Sequence, residues 1–187
     1  MKALVVGGSG FVGSHVADAL TAAGHEVRIL DIRPSPYATP EQEVVLGDLL
    51  DADLLQQAIK GCSVVYNMAG IVDLDDATTR PRTTIQLNVE GAVLAMDASV
   101  REGCERFVYA STIYVYSNKG GFYRCSKQAS ELYVEEYQRR YDLDFTILRY
   151  GTLYGPRSDE RNSVSRYLRQ ALEEGRIAVS GTGNESR

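Results

Sequence analysis

The chain has 187 residues, of which 44% are apolar, and a formal net charge of -5 at neutral pH. This length and composition suit one domain with a hydrophobic core, and the dispersed basic residues give no electrostatic case for nucleic acid. No segment reaches the ~18 uninterrupted apolar residues of a membrane span, the N-terminus has no signal-peptide pattern, and the three cysteines lack metal-ligand spacing, so we expect a cytoplasmic protein that binds no metal, membrane or nucleic acid.

The first elements are a strand, a glycine-rich loop and a helix. Residues 2–6 form a short apolar run, and apolar side chains at helical spacing follow the loop. Glycine has no Cβ atom, so such a loop can turn sharply and let a pyrophosphate approach the amides of the helix N-terminus. The loop places glycines at a three-residue spacing: Gly7, Gly10 and Gly13. The pattern predicts a dinucleotide-binding site.

A second strand, residues 26–30, ends at Asp31, which lies eighteen residues after Gly13. This is where the dinucleotide fingerprint expects an acid for the ribose hydroxyls. Asp31 would repel a 2′-phosphate, which favours NAD over NADP, although Arg33 could receive such a phosphate. We therefore expect NAD as the cofactor.

Strands and helices alternate through the rest of the chain. Apolar runs and helical periodicity predict strands at 43–46, 63–68, 107–110 and 145–148, and helices at 53–60, 83–101 and 123–140. This alternation is typical of α/β proteins with a doubly wound parallel sheet (Rossmann fold) and helices on both faces. Ligands bind at the carboxyl ends of such strands, so residues after several runs should meet in one cleft: Gly47, Asp48, Asn67 to Gly70, Ser111, Thr112 and Tyr150 to Thr152.

One pair of side chains has the chemistry of an acid/base centre. Tyr123 and Lys127 are four residues apart in the predicted helix 123–140, so they share one of its faces. A neighbouring ammonium stabilises a phenolate and brings the pKa of the phenol nearer neutrality, which suits proton exchange with an alcohol or ketone. The spacing alone is common on surface helices, and it is the dinucleotide site that favours a catalytic interpretation.

The helices predicted at 83–101 and 123–140 are apolar on more than the face that a sheet would cover. Either they are wedged in the core of one subunit, or they pack against a second copy of the chain. We prefer a homodimer through these two helices, because a doubly wound domain covers only one face of each outer helix.

Several motifs, in order along the whole chain, resemble those of the extended short-chain dehydrogenase/reductase family, in particular the NAD-dependent epimerases and dehydratases of nucleotide sugars. The motifs are Gly7 to Gly13, Asp31, Gly47-Asp48, Asn88 to Gly91, Ser111 to Tyr116, Tyr123 with Lys127, and Leu148 to Pro156.

The resemblance implies a role for each matching residue. Tyr123 would be the general acid/base, Lys127 would hold the nicotinamide ribose and lower the pKa of Tyr123, and Thr112 would hydrogen-bond the reacting hydroxyl. It also implies a cofactor site formed by Gly7, Gly10, Phe11, Val12, Gly13, Asp31, Arg33, Asp48, Leu49, Met68, Ala69, Gly70, Asn88, Tyr123, Lys127, Tyr150 and Gly151.

The implied reaction is transient hydride transfer from a sugar carbon to NAD, with a nucleotide sugar, UDP-sugar foremost, as the substrate. An epimerase is favoured over a dehydratase, because Ile113 and Tyr114 stand where a dehydratase has an acidic pair after Thr112. Two alternatives stay open, namely simple oxidation or reduction of an alcohol or ketone and a non-catalytic NAD-binding module.

The end of the chain departs from the family pattern. Residues 177–187 resemble a segment that normally leads into a substrate-binding lobe. We expect an NAD-binding domain with the catalytic residues at 1–157 and only the beginning of the substrate lobe at 158–187. Such a chain would bind cofactor but turn over poorly, because relatives use the lobe to clasp the nucleotide half of the substrate.

Overall fold

A parallel six-stranded sheet lies at the centre of the computed structural model, which describes residues 1–178. The strands are β1 (Lys2–Val6), β2 (Glu26–Asp31), β3 (Gln42–Leu46), β4 (Val64–Asn67), β5 (Arg106–Thr112) and β6 (Asp144–Tyr150). Their order in the sheet is β3-β2-β1-β4-β5-β6, and every pair is parallel. Because the chain moves outward from β1 in one direction and then returns to β4 on its other side, the carboxyl ends of β1 and β4 form a topological switch point.

Helices connect these strands. They are α1 (Phe11–Ala22), α2 (Ala52–Ile59), α3 (Leu74–Thr79), α4 (Pro81–Ile85), α5 (Gly91–Arg101), α6 (Gly121–Tyr141) and α7 (Ser163–Arg169), with a 3-10 turn at Ile113–Tyr116 and π-helical turns at Gln86–Glu90 and Gln170–Glu174. The helix predicted at 83–101 is thus α4 and α5 joined by a π-helical turn. A wider turn of this kind is frequent near functional sites.

Strand β1 illustrates how both faces of the sheet are covered. Leu4 packs in one core cluster with Leu55 of α2 and Met96 of α5. Val5 packs in a second cluster with Ala17 of α1. Because successive side chains of a strand point to opposite faces, α2 and α5 cover one face of the sheet and α1 covers the other. The predicted Rossmann fold with helices on both faces is confirmed.

Two strands extend further toward their carboxyl ends than the apolar runs predict. Strand β5 continues to Thr112 and β6 to Tyr150, and these two residues are partners in the parallel register. Polar and aromatic side chains at strand ends interrupt an apolar run, although the backbone hydrogen bonding of the sheet continues through them. The consequence is that Thr112 is held by the sheet and not by a loop.

The 3-10 turn and α3 are not among the predicted elements. Helix α3 has six residues, too few to produce a helical period in the sequence. Its N-terminus is set by Asp73, whose side chain accepts hydrogen bonds from the backbone amides of Asp75 and Asp76.

The chain divides into two compact units, Met1–Gly151 and Thr152–Arg187. In the described part of the second unit, the side chain of Asn162 caps α7 by accepting hydrogen bonds from the amides of Val164 and Ser165. The division falls close to the predicted boundary at residue 157, and the assignment of the second unit to a substrate lobe stays a prediction. Residues 179–187, which include most of the motif at 177–187, lie outside the described residues.

Among residues 1–178, the helices are all too short or too polar to cross a membrane.

Candidate active site

The glycine-rich loop between β1 and α1 lies against the loop that follows β4. Gly7 has φ +80°, and a Cβ atom at this position would come within 2.7 Å of the backbone nitrogen of Ala69. A Cβ atom at Gly13 would overlap the carbonyl of Gly7. Because backbone packs directly on backbone here, the first and third glycines of the predicted fingerprint are required by the fold itself.

Helix α1 begins at this loop with its first amides directed into it. Its N-cap residue is Gly10, which has no side chain with which to cap the helix. The first intrahelical hydrogen bond runs from Ser14 N to Gly10 O at 3.0 Å, so the amides of Phe11, Val12 and Gly13 precede the intrahelical ladder. This arrangement is suited to an anionic phosphate, as predicted for these three residues.

A cleft of about 210 Å³ opens at the switch point between β1 and β4. Nine of the predicted cofactor residues line it: Gly7, Gly10, Asp31, Arg33, Asp48, Leu49, Met68, Ala69 and Gly70. Its other walls come from Val6, Leu30, Ile32, Gly47 and Leu87, of which only Gly47 stood out in the sequence. The apolar residues in this second group lie at strand ends or on a helical segment that borders the cleft. They belong to no recognisable motif, so the sequence could not mark them as cleft residues.

Asp31 is fixed at one wall of the cleft by two backbone amides. Its carboxylate accepts hydrogen bonds from Ser9 N at 3.0 Å and from Arg33 N at 3.2 Å. Ser9 Oγ in turn donates to Arg33 O at 2.9 Å, which ties the loop after β2 to the glycine loop. A carboxylate oxygen accepts more than one hydrogen bond, so the group keeps acceptor capacity toward the cleft.

The predicted catalytic residues lie together beside the cleft. Thr112, Tyr123 and Lys127 are 4%, 8% and 2% exposed. Lys127 Nζ donates a hydrogen bond to the carbonyl of Ala110 at 2.9 Å, and it lies 5.8 Å from the ring centroid of Tyr123 and 4.9 Å from that of Tyr109. The three side chains therefore form one buried cluster between β5 and α6.

The pKa of Tyr123 shifts in the direction opposite to the one predicted. Burial raises the pKa of this phenol above its ordinary value, and a hydrogen bond with Thr112 offsets part of that rise. Burial also lowers the pKa of Lys127 to about 8, with the charge of Glu131 acting against the change. Thr112 is thus a neighbour that favours the Tyr123 phenolate.

Gly70 connects the cleft to the catalytic cluster. A Cβ atom at Gly70 would come within 2.5 Å of Asn88 Oδ1 and 3.8 Å of Lys127 Nζ. The backbone after β4 can therefore pass between the cleft and the catalytic lysine only because this residue is glycine.

Asn88, predicted as a cofactor residue, makes its hydrogen bonds inside the protein. Its Oδ1 accepts from Ile71 N at 2.7 Å, and its Nδ2 donates to Ile71 O and to Ser126 Oγ, both at 2.9 Å. Both of its amide hydrogens are used, and the side chain does not line the cleft. Asn88 therefore joins the loop after β4 to α6, and its role as a cofactor residue stays a prediction.

Tyr150 and Gly151 lie on the catalytic side of the site and not in the cleft. Tyr150 pairs with Thr112 in the sheet, and burial raises the pKa of its phenol. A Cβ atom at Gly151 would come within 3.8 Å of Ile113 Cδ1. Both residues are therefore neighbours of the Thr112 end of β5, where a reacting group would lie.

One residue next to this cluster, Glu131, lies in none of the motifs noted in the sequence, although its partners Ser111 and Arg149 do. Glu131, one turn beyond Lys127 on α6, accepts hydrogen bonds from Ser111 Oγ at 2.5 Å and from Arg149 Nη2 at 2.8 Å. The only sequence signal was the continuation of the four-residue spacing from Tyr123 through Lys127 to Glu131.

These residues fit a dinucleotide. The glycine loop and the unbonded first amides of α1 lie at one end of the cleft, and the fixed carboxylate of Asp31 lies at another wall. The buried Tyr123 and Lys127 adjoin the cleft at Gly70. The fold and the cleft define a Rossmann-type dinucleotide-binding protein.

Comparisons with known proteins agree with this class. A family model described as the NAD dependent epimerase/dehydratase family matches residues 3–187. The UDP-glucose 4-epimerase of Mycolicibacterium smegmatis is 30% identical over 214 residues, covering 100% of this chain and 68% of the relative. A 3-beta-hydroxysteroid dehydrogenase of Mycolicibacterium neoaurum is 37% identical over 117 residues, covering 59% of this chain and 32% of the relative. The crystal structure of the UDP-glucose 4-epimerase of Thermus thermophilus in complex with NAD superposes with a TM-score of 0.85 at 28% identity, covering 93% of this chain and 63% of that one.

The chain belongs to the NAD-dependent epimerase/dehydratase family. The predictions of this family, of an enzyme of this class and of NAD as its cofactor are confirmed. The chain spans about two thirds of the length of the two epimerases.

Proposed function

We propose that the chain carries the NAD-binding and redox half of a nucleotide-sugar epimerase, with a UDP-sugar as the substrate class. The observation that supports this most is the buried cluster of Thr112, Tyr123 and Lys127, which adjoins the dinucleotide cleft at Gly70. The similarity to UDP-glucose 4-epimerases supports the substrate class.

In the proposed site the glycine loop and the first amides of α1 would hold the pyrophosphate, and Asp31 would bind the adenosine ribose. Bound NAD supplies a hydride acceptor. Tyr123 would remove the proton from the sugar hydroxyl, and Thr112 would hydrogen-bond the same oxygen and favour the Tyr123 phenolate. Lys127, fixed on the carbonyl of Ala110, would hold its charge beside both groups.

Epimerisation is the form of the reaction that we favour over dehydration. Elimination of water requires an acid and a base beside the reacting carbon. The residues directly after Thr112 are Ile113 and Tyr114, which supply no carboxyl group.

We propose that residues 1–157 form the NAD-binding domain and that 158–187 begin a substrate lobe. The separation of the chain into Met1–Gly151 and Thr152–Arg187 and the shorter span relative to the epimerases support this division.

We further propose a homodimer that assembles through α5 and α6 in the cytoplasm. Leu132 and Tyr133 on α6 are 67% and 47% exposed, which leaves an apolar strip on its outer face. Within one chain, Tyr137 Oη donates to Asp97 of α5 at 2.5 Å, so part of the apolar surface noted in the sequence is used inside the subunit. Sedimentation velocity of the chain and of Leu132→Glu tests the dimer, and a monomer for both would contradict it.

A second candidate function is the NAD-dependent oxidation of an apolar alcohol such as a sterol. The similarity to a 3-beta-hydroxysteroid dehydrogenase favours it, as do Ile113 and Phe122, which are 51% and 52% exposed and directly adjoin Thr112 and Tyr123 in the chain. Apolar side chains at these positions would suit an apolar substrate as well as a sugar ring.

Absorbance at 340 nm separates these candidates. The chain is incubated with NAD and a panel of UDP-sugars and 3-beta-hydroxysteroids, alongside Tyr123→Phe and, as a matched control, Tyr133→Phe on the outer face of α6. We expect NADH formation with a UDP-sugar, its loss by at least about a hundredfold in Tyr123→Phe, and no change in Tyr133→Phe. Reduction only by the steroid supports the second candidate, and NAD binding without reduction by any compound supports a non-catalytic module.

A further inference from the structure

Helix α6 carries three buried polar side chains at four-residue intervals, and each meets the carboxyl end of β5. Thr112 is the neighbour that lowers the pKa of Tyr123, Lys127 donates to the carbonyl of Ala110, and Glu131 accepts from Ser111. Residues four apart lie on one helix face. The helix and the strand are thus joined by three consecutive polar contacts, of which only the first two belong to the predicted catalytic group.

The carboxylate of Glu131 is buried and is fixed by hydrogen bonds from two side chains. Glu131 is 7% exposed, and Ser111 Oγ donates to its Oε1 at 2.5 Å. The guanidinium of Arg149 donates hydrogen bonds to both carboxylate oxygens. Its Nε lies 3.0 Å from Oε1 and 3.3 Å from Oε2, and its Nη2 lies 2.8 Å from Oε2. Such bidentate geometry fixes the carboxylate in orientation as well as in place.

Arg149 is itself held from the other side. Its Nη1 donates to Tyr116 Oη at 2.5 Å, and the guanidinium carbon lies 4.9 Å from the centroid of the Tyr116 ring. The ion pair therefore spans α6, β6 and the 3-10 turn after Thr112, which are the elements that surround the end of β5.

Lys127 is the charged group in this neighbourhood that most needs a counter-charge. It is 2% exposed, and the hydrogen bond at its ammonium is the one to Ala110 O. A buried ammonium is strongly disfavoured unless an opposite charge is near. Lys127 Nζ lies against the Tyr109 ring from β5 and the Tyr123 ring from α6. The carboxylate of Glu131 is one helical turn further along α6 and is bonded to Ser111, the residue that follows Ala110. Arg149 from β6 and Tyr116 from the 3-10 turn lie behind that carboxylate.

We propose that Glu131 and Arg149 are positioning residues of the redox centre: Glu131 supplies the counter-charge that keeps Lys127 protonated on the Ala110 carbonyl, and Arg149 sets how much of that charge Lys127 experiences. The geometry stands without any assumption about the substrate, and only its consequence for turnover rests on the proposed function. The direction of the Lys127 pKa agrees, since the Glu131 charge raises it against the effect of burial.

The two partners should change Lys127 in opposite directions. Glu131→Gln keeps the shape and the Ser111 hydrogen bond but removes the negative charge and leaves Arg149 unbalanced, so Lys127 should lose its proton at lower pH. Arg149→Met leaves the Glu131 charge unneutralised, so Lys127 should lose its proton at higher pH. If Glu131 and Arg149 had a purely structural role, the two substitutions would not shift the pKa of Lys127 in opposite directions.

Direct titration of Lys127 tests the proposal. The chain has four lysines, Lys2, Lys60, Lys119 and Lys127, so a protein labelled with ¹³C at the lysine ε-carbon gives a spectrum that Lys127→Arg assigns. We expect the apparent pKa of Lys127 to fall by about one unit in Glu131→Gln and to rise in Arg149→Met. Arg149→Lys, which retains the positive charge, should restore the value of the original protein.

Glu136→Gln is the matched control. Glu136 lies on the same helix, is only half-buried and pairs with Arg139 and Arg140 instead of with residues of β5, so Lys127 should titrate as in the original protein. A Lys127 pKa unchanged in Glu131→Gln, or shifted in the same direction by both substitutions, would overturn the proposal. Should Glu131→Gln not fold, the sign in Arg149→Met against Arg149→Lys decides it. Because the measurement involves no substrate, failure of the proposed sugar chemistry would leave this result intact.

Discussion

The residues that we propose carry the chemistry, Thr112, Tyr123 and Lys127, are all buried polar groups. Lys127 has a pKa lowered by burial, and Tyr123 has one raised by burial. The spacing of the two residues predicted a shared helix face, and the structure agrees. The spacing could not predict in which direction the pKa of Tyr123 shifts. That direction depends on how deeply α6 is buried and on the hydrogen bond that Lys127 makes to Ala110.

A substitution at Lys127 should make this burial measurable. Its folded pKa of about 8 lies below its ordinary value of 10.5, so the unfolded chain binds more protons between these values and the stability contributed by this group rises with pH across that range. Lys127→Met should therefore be more stable than the original protein at pH 7 by on the order of 1–3 kcal/mol. That gain should shrink as pH rises through the window.

Urea unfolding at pH 7 and at pH 10 measures this difference. Lys60→Met, at an exposed lysine, serves as the control and should show no pH-dependent gain. Equal stability of Lys127→Met and the original protein at both pH values would show that the buried ammonium carries no such penalty.

At the scale of elements, the apolar runs and helical periods were sufficient to predict six strands and their order of appearance, because core strands of a parallel sheet are nearly continuous in apolar residues. The contact of Glu131 with Ser111 and Arg149 could not be predicted in this way. These residues come from a helix and two strands, and only the packing of α6 on β5 and β6 brings them together. Asn88 matched a family motif, and only the hydrogen bonds of the π-helical turn showed that it braces Ile71 and Ser126.

The loop that joins β1 to α1 allows a test of why its first residue is glycine. The reason is either the close packing of a neighbouring loop or the positive φ angle alone. Gly7 and Gly61 have nearly equal φ angles, +80° and +76°, but a Cβ atom would lie 2.7 Å from Ala69 N at Gly7 and would meet nothing within 4 Å at Gly61. Gly61→Ala should cost about 1 kcal/mol of stability, from backbone strain alone. Gly7→Ala should cost at least about 2 kcal/mol more and should abolish NAD binding, because the two loops must separate.

Thermal unfolding and NAD titration of both variants check this prediction. Equal losses of stability at Gly7 and Gly61, with NAD binding retained in both, would mean that the contact with Ala69 does not matter.

At the scale of the whole molecule, the chain divides into a first unit that contains the Rossmann sheet, Met1–Gly151, and a second unit, Thr152–Arg187. In our proposal the first unit carries the cofactor chemistry, and the chain covers 68% of the length of a UDP-glucose 4-epimerase to which it is similar. The assignment of the second unit to a substrate lobe, which the motif at 177–187 led us to expect, stays a prediction.

Isothermal titration calorimetry with NAD, followed by a UDP-sugar, tests the central claim most directly. We predict that the chain binds one NAD per subunit, that Asp31→Ala weakens this binding by roughly tenfold or more, and that the UDP-sugar binds to the NAD-loaded protein. Absence of NAD binding by the folded chain would contradict the claim that the cleft at the β1 and β4 switch point is a nicotinamide dinucleotide site.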